Sequence, residues 1–228
     1  MQEAEKPGDR TIKAVIFDMD NTLCDFVEAK IRACDAVSKH LGRDDGRRLL
    51  NYFLRKKYDI EDPMHIADYL KDNERYSNIT YQECSNIYRD TKIKNIKNYQ
   101  GLKDILRSLR ANGMKIAVLT DANRKNARER LSRLEVTDLI DVLVTHDDTG
   151  KKKPDLEPFR HTMELLDMDA AEIAMVGDSP TRDIAPSKAM GFLTIYAEYG
   201  DRNFHENNIP DFDLSIGSLE ELPKALGL

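Results

Sequence analysis

An α/β fold, with a parallel sheet covered by helices on both faces and a small helical domain inserted after its first strand, is predicted by three observations in this 228-residue chain. From Lys115 onward, short apolar runs alternate with segments of helix length, the pattern of successive βαβ units. One further apolar run, Ala14 to Phe17, stands alone near the start and leads directly into Asp18 and Asp20. Between them, residues 24–99 carry helical periodicity and no convincing strand, so the chain leaves the sheet after Leu23 and returns to it later.

In order along the chain, MQEAEKPGDR (1–10) is polar, lacks the apolar stretch of a signal peptide and reads as a loose tail. AVIFD is the first strand, because an unbroken apolar run suits a strand buried on both faces. The insert shows helical patterns around 27–41, 45–57, 63–71 and 80–93, with Ile31, Val37 and Leu41 spaced to pack helix against helix. Tyr52, Tyr58, Tyr69 and Tyr88 lie at helical spacings and pack its core or interface. Arg55, Lys56 and Lys57 read as a solvated charged face that could also meet an anionic substrate. A helix over 101–112 follows. Then come strand KIAVLT, helix NRKNARERLSRL, strand DVLVT, helix LEPFRHTMELL, strand IAMVG, helix TRDIAPSKAMG and strand LTIYA. Right-handed crossovers between these strands make a Rossmann-like sheet. The predicted division is 1–23 and 100–228 for the α/β core and 24–99 for the helical insert.

Composition narrows the function classes. At 40% apolar and 33% charged the chain can bury a core, and its net charge of −6 gives no broad electrostatic support for binding nucleic acid or an anionic membrane. No apolar segment is long enough to span a bilayer. Cys24, Cys34 and Cys84 are odd in number and form no Cys-x-x-Cys pair, which predicts reduced thiols in a cytoplasmic protein. Oligomeric state is not legible from these features.

The chemistry concentrates in four segments: AVIFDMDNTLCD (14–25), VLTDA (118–122), GKKKPDLEPF (150–159) and MVGDSPTRD (175–183). Asp18 and Asp20 fall past the carboxyl end of a strand, where open α/β sheets place their ligand crevices. Two like charges there make sense if a divalent cation lies between them while one acid attacks and the other shuttles a proton. The alternative is an Asp-rich turn, with Asn21 and Thr22 capping the next helix. Thr120 follows a strand, where its hydroxyl and the backbone N–H groups of Asp121 and Ala122 could donate to phosphoryl oxygens, or where it could simply cap a helix. Asp178 and Asp183 flank a Ser-Pro-Thr turn after another strand, and their hard carboxylate oxygens suit Mg²⁺ better than zinc. His40, His65, His146, His161 and His205 lack metal-ligand spacing; His146, with Asp147 and Asp148, reads as a solvated loop.

Occurring in this order, the four segments resemble the haloacid dehalogenase-like hydrolase superfamily, especially its magnesium-dependent phosphatases. The resemblance implies Asp18 as the nucleophile that takes a phosphoryl group, and Lys153, immediately before Pro154, as a clamp on that acid and on the transferring oxygens. Asp20 would protonate the leaving alcohol and later activate water; the dehalogenases of the superfamily lack this second acid. Mg²⁺ would be held by Asp18, Asp178 and the backbone carbonyl of Asp20, with Asp183 ligating through water or positioning Lys153 or Asp178. The insert then becomes a cap over the crevice, which favours a small phosphorylated metabolite as substrate. Relatives often carry Asn-Gly where this chain has Asp121 and Ala122, so phosphate contact by that loop is the weakest part of the match. Two rivals stand beside phosphate-ester hydrolysis: a phosphomutase related to β-phosphoglucomutase, and a catalytically silent binding protein on the same fold.

Overall fold

Ala14 pairs in parallel with Lys115 on one side and with Ile173 on the other, so the isolated first strand becomes the middle of the sheet. The computed structural model describes residues 11–55, 57–202 and 211–228; the tail reading of 1–10, Lys56 and His205 therefore lie outside the described residues. The strands are β1 (Ala14–Phe17), β2 (Lys115–Leu119), β3 (Val142–Val144), β4 (Ile173–Gly177), β5 (Leu193–Ala197) and β6 (Leu214–Ile216). All pair in parallel in the order β3-β2-β1-β4-β5-β6. The chain builds outward from β1 to β3, then restarts at β4 on the opposite side of β1. That reversal opens a crevice beyond the carboxyl ends of β1 and β4, where ligands collect in such sheets. Described residues through Asp25 and from Asn98 onward form one compact unit, and Phe26–Lys97 form a second.

The second unit is helical: α1 (Phe26–His40), α2 (Gly46–Leu54), α3 (Met64–Asp72) and α4 (Asn78–Asn95). α1 packs on α2 and α4, with Val37, Leu41, Leu49, Tyr52, Phe53, Tyr69 and Tyr88 in a shared core. Ile31 is only half-buried, and Tyr58 sits edge-on to the buried His65. Arg55 lies 3.6 Å over the Tyr52 ring and 3.8 Å from Asp72, half exposed, as a solvated helix end would be. Asp45, just ahead of α2, joins the pieces by accepting from Ser38 Oγ at 2.9 Å, Arg43 Nη2 at 2.8 Å and the Tyr69 hydroxyl at 2.6 Å. Burial works against its charge, yet these donors prevail and hold the carboxyl at about 2, below its ordinary 3.8. A depressed folded value contributes stability above the unfolded value and loses it as pH falls through the folded one. Asp45→Asn is therefore expected to cost about 1–2 kcal/mol at neutral pH, with the gap closing as pH falls from about 4 to about 2. Urea unfolding of both proteins across that range checks this, and a gap unchanged near pH 2 refutes it.

The remaining helices are α5 (Leu102–Ala111), α6 (Arg124–Leu134), α7 (His146–Thr149), α8 (Glu157–Leu166), α9 (Ala185–Met190) and α10 (Leu222–Ala225). On one face, Phe159 and Leu166 of α8 pack with Ala14, Ile16, Ala117, Leu119, Ile173 and Met175. Val15, Phe17, Ile116 and Val118 alternate to the other face and are equally buried, which explains why these strands read as continuous apolar runs.

Three elements differ from expectation. β6 was not foreseen, because its three residues, LSI, make too short a run; β5 supplies its register, Ile195 opposite Leu214, and Asp213 accepts from Thr194 N–H at 2.9 Å. The segment TRDIAPSKAMG is not one helix: Pro180–Ile184 form a wide π turn in which Ala185 N–H reaches back to Pro180 O, and α9 starts only after it. The loop expected at His146 is instead the short α7, capped by Asp148, which accepts from Thr145 N–H and Oγ1 at 2.7 Å.

Candidate active site

β1 and β4 run side by side, and Asp18 N–H still donates to Val176 O at 2.9 Å, so Asp18 leaves the sheet at the mouth of the reversal crevice. Asp178 leaves the neighbouring strand one residue after Gly177. A Cβ at Gly177 would lie 2.4 Å from the Asp183 Cβ, so only glycine lets the wide turn fold Asp183 back beneath the strand end. Asp18, Asp178 and Asp183 are all buried, and each offers a carboxylate oxygen within 4.8 Å of the others. From the loop before α8, Lys153 reaches in and donates to Asp18 Oδ1 at 2.6 Å and to Asp183 Oδ1 at 2.5 Å. The other Asp183 oxygen accepts from Ser179 N–H at 3.0 Å.

Three acids share this buried space with one ammonium. Burial pushes the Asp178 carboxyl well above its ordinary range, and the charges of Asp18 and Asp183 add to that push. Asp183 is also raised by burial, with Lys153 opposing the rise. Burial acts against the Lys153 charge, but Asp18 and Asp183 override it and hold the ammonium above its ordinary value. Such a site could hold a divalent cation: hard oxygens converge, and their repulsion would fall when positive charge arrives. Lys153→Met strips the only cation that bonds both Asp18 and Asp183 among the described contacts. It should destabilise the metal-free protein by about 3–5 kcal/mol, as expected when a buried pair loses one partner. Chemical denaturation in EDTA measures this, and a loss below about 1 kcal/mol would show that the pair is not structurally important.

Asp20 stands apart from this group. Its Oδ2 accepts from Arg130 Nη1 of α6 at 2.5 Å, and its carboxylate is not among the converging acids, so any part it takes in the metal shell falls to its backbone carbonyl. The acid loop is held from outside: Tyr199 donates to Thr22 O at 2.8 Å, and a Cβ at Gly200 would lie 1.8 Å from Asn21 O. Asn21 itself adopts a left-handed backbone, φ 64°.

At the end of β2 the expected phosphate loop is partly engaged. Ala122 N–H donates to Thr120 Oγ1 at 3.2 Å, which leaves the buried Thr120 its own hydroxyl proton to donate. Asp121 accepts from Lys153 N–H at 2.9 Å and faces Arg182 at 3.4 Å, which makes it a brace for the lysine loop. His146 is half-buried, with its Nδ1 3.3 Å from Lys151 O; Asp147 and Asp148 tie to Arg124. Sequence reasoning missed Arg130 and Arg182. Arg130 left one usable signal, since it occupies the Ala127, Leu131, Leu134 stripe of α6, where an apolar residue is the default.

A family model of haloacid dehalogenase-like hydrolases matches residues 15–197. Among curated relatives, a candidate pyrophosphatase, PpaX, from Caldanaerobacter subterraneus is 32% identical over 192 residues, covering 82% of each chain. Phosphoglycolate phosphatase from Neisseria meningitidis is 30% identical, covering 92% of each. Among solved structures, a haloacid dehalogenase-type phosphatase from Thermococcus onnurineus superposes with a TM-score of 0.67 at 28% identity, covering 95% of this chain and 98% of its own. No helix among the described residues is long and apolar enough to cross a membrane. With its motif acids at the mouth of the same parallel sheet, the chain belongs to the haloacid dehalogenase-like hydrolase family and stands among its phosphatases.

Proposed function

We propose that this chain is a Mg²⁺-dependent phosphomonoesterase that hydrolyses a small phosphorylated metabolite through an aspartyl-phosphate on Asp18. The observation that carries the reading is the unlike setting of the two first-loop acids. Asp18 lies buried against Lys153 and two further carboxylates, while Asp20 is drawn to Arg130 outside that group. Environments that differ this much suit different roles for two like residues.

In the first step an Asp18 oxygen attacks phosphorus, the ester P–O bond breaks, and the leaving alkoxide takes a proton from Asp20. In the second, water gives a proton back to Asp20 as its oxygen attacks phosphorus and the bond to Asp18 breaks, releasing phosphate. Lys153 steadies the Asp18 carboxylate and offers charge to the transferring oxygens. Thr120 donates its hydroxyl, and Asp121 keeps the lysine loop in place. Asp18 and Asp178, with the backbone carbonyl of Asp20, would hold Mg²⁺, which supplies positive charge for the phosphoryl group. Asp183 serves as a positioning residue for Lys153, since its oxygens are given to Lys153 and Ser179. Selectivity is assigned to the helical unit inserted after the acid loop. Three buried free thiols support a reducing compartment.

The test is a panel of phosphate monoesters, with phosphoglycolate, glyceraldehyde 3-phosphate, sugar phosphates and nucleotides, assayed with Mg²⁺ for phosphate and for isomerised product. Phosphate release in proportion to substrate lost is expected. Isomerised sugar phosphate without phosphate would instead identify a mutase, and no reaction on any member would favour a silent binding protein.

A further inference from the structure

α6 carries its buried stripe on Ala127, Arg130, Leu131 and Leu134, and Arg130 is wholly buried there, one of the largest side chains in the protein to be so. Removing a guanidinium from water costs several kcal/mol unless its partners return that energy, and an apolar residue would fill the same position without this cost. Its Nη1 meets the carboxylate of Asp20, 110 positions away in sequence, on Oδ2 at 2.5 Å. The planar, permanently charged guanidinium fixes a carboxylate in direction as well as in charge. Lys153 engages Asp18 and Asp183 but not Asp20, so Asp20 is met by a cation from a different element than the one that serves Asp18.

We propose that Arg130 is a positioning residue for the proton-transfer acid: by binding one oxygen of Asp20 it turns that carboxyl group toward the leaving-group oxygen and keeps it out of the Asp18, Asp178 and Asp183 cluster. This inference rests on the proton-shuttling role proposed above for Asp20. Arg130 touches neither phosphorus nor the leaving group. Its effect on turnover passes through Asp20 and therefore grows with the need of the leaving group for a proton. A dinitrophenolate leaves without help, whereas a simple alkoxide does not.

The experiment compares kcat/KM, which reports the step that expels the leaving group, for 2,4-dinitrophenyl, p-nitrophenyl and a simple alkyl phosphate. The proteins are wild type, Asp20→Asn, Arg130→Met, Arg130→Lys and the double variant Asp20→Asn with Arg130→Met, each with Mg²⁺ and with folding checked by circular dichroism. Arg130→Met is expected to lower the alkyl ester about 10- to 100-fold more than the dinitrophenyl ester, and Arg130→Lys to fall between it and wild type. In the Asp20→Asn background, the arginine change should add less than about threefold on the alkyl ester, because the acid it serves is gone. Equal losses on every ester, or full multiplication of the two effects, would overturn the proposal and leave Arg130 a structural residue. If Arg130→Met does not fold, Arg130→Lys, which retains a buried cation, carries the same leaving-group comparison. A distinct pattern marks failure of the underlying reading: Asp20→Asn itself then shows no preference among leaving groups, and both assignments fall together.

Discussion

Asp18→Asn is expected to reduce kcat by on the order of 10⁴-fold or more while leaving the fold intact. The amide has nearly the same shape as the carboxylate but cannot form the acyl phosphate. The surroundings tolerate the change, because Lys153 keeps Asp183 as a partner at 2.5 Å. Asp178, which burial and then the Asp18 charge push upward, should relax toward ordinary values when that charge is removed. The thermal midpoint of the metal-free variant should therefore equal or exceed that of wild type. Acid quenching during turnover should trap phosphate on the wild-type protein and not on the variant. Near wild-type phosphate release from purified Asp18→Asn would remove Asp18 from the nucleophile role.

The second large effect is on metal. Exhaustive chelation should take activity to background and Mg²⁺ should restore it, because Asp18 and Asp178 bring carboxylate oxygens together in a buried space whose negative charge Asp183 increases. Ca²⁺ should restore little, since its larger and looser shell would misplace the attacking oxygen. Binding should also be visible without turnover. A cation that binds only the folded protein raises its thermal midpoint with concentration. The raised carboxyl of Asp178 sets the sign with pH: protons compete for the same oxygens, so the shift produced by a given Mg²⁺ concentration should shrink as pH falls. Full activity after chelation, with no midpoint shift on adding Mg²⁺, would overturn the metal assignment.

Much of this was legible in one dimension. Strands buried on both faces cannot alternate, so Ala14–Phe17 and Ile173–Gly177 announce themselves as apolar runs, and the acids that follow them mark strand ends. Helices packed on helices repeat their apolar residues every three or four positions, so the insert reads as helical from its sequence alone. β6 stayed hidden because three residues carry no period, and its place comes from hydrogen bonds to β5.

Local chemistry thus determined the strands, the helical periodicity of the insert and the four motif segments, together with the candidates Asp18, Asp20, Thr120, Asp178 and Asp183, because burial and strand-end position leave a signature within a few neighbouring residues, whereas Lys153 came only from the family resemblance. The resemblance implied that Lys153 clamps Asp18, but which role Asp183 takes and what Asp20 meets were decided only by the tertiary structure. Lys153 also bonds Asp183, while Arg130 takes Asp20 from a helix 110 positions away. Asp121, which the sequence offered only as a backbone donor to phosphate, braces the lysine loop through its side chain. The reason is physical: an ion pair depends on distance through space and on exclusion of water, and neither quantity is written in the spacing of residues along the chain.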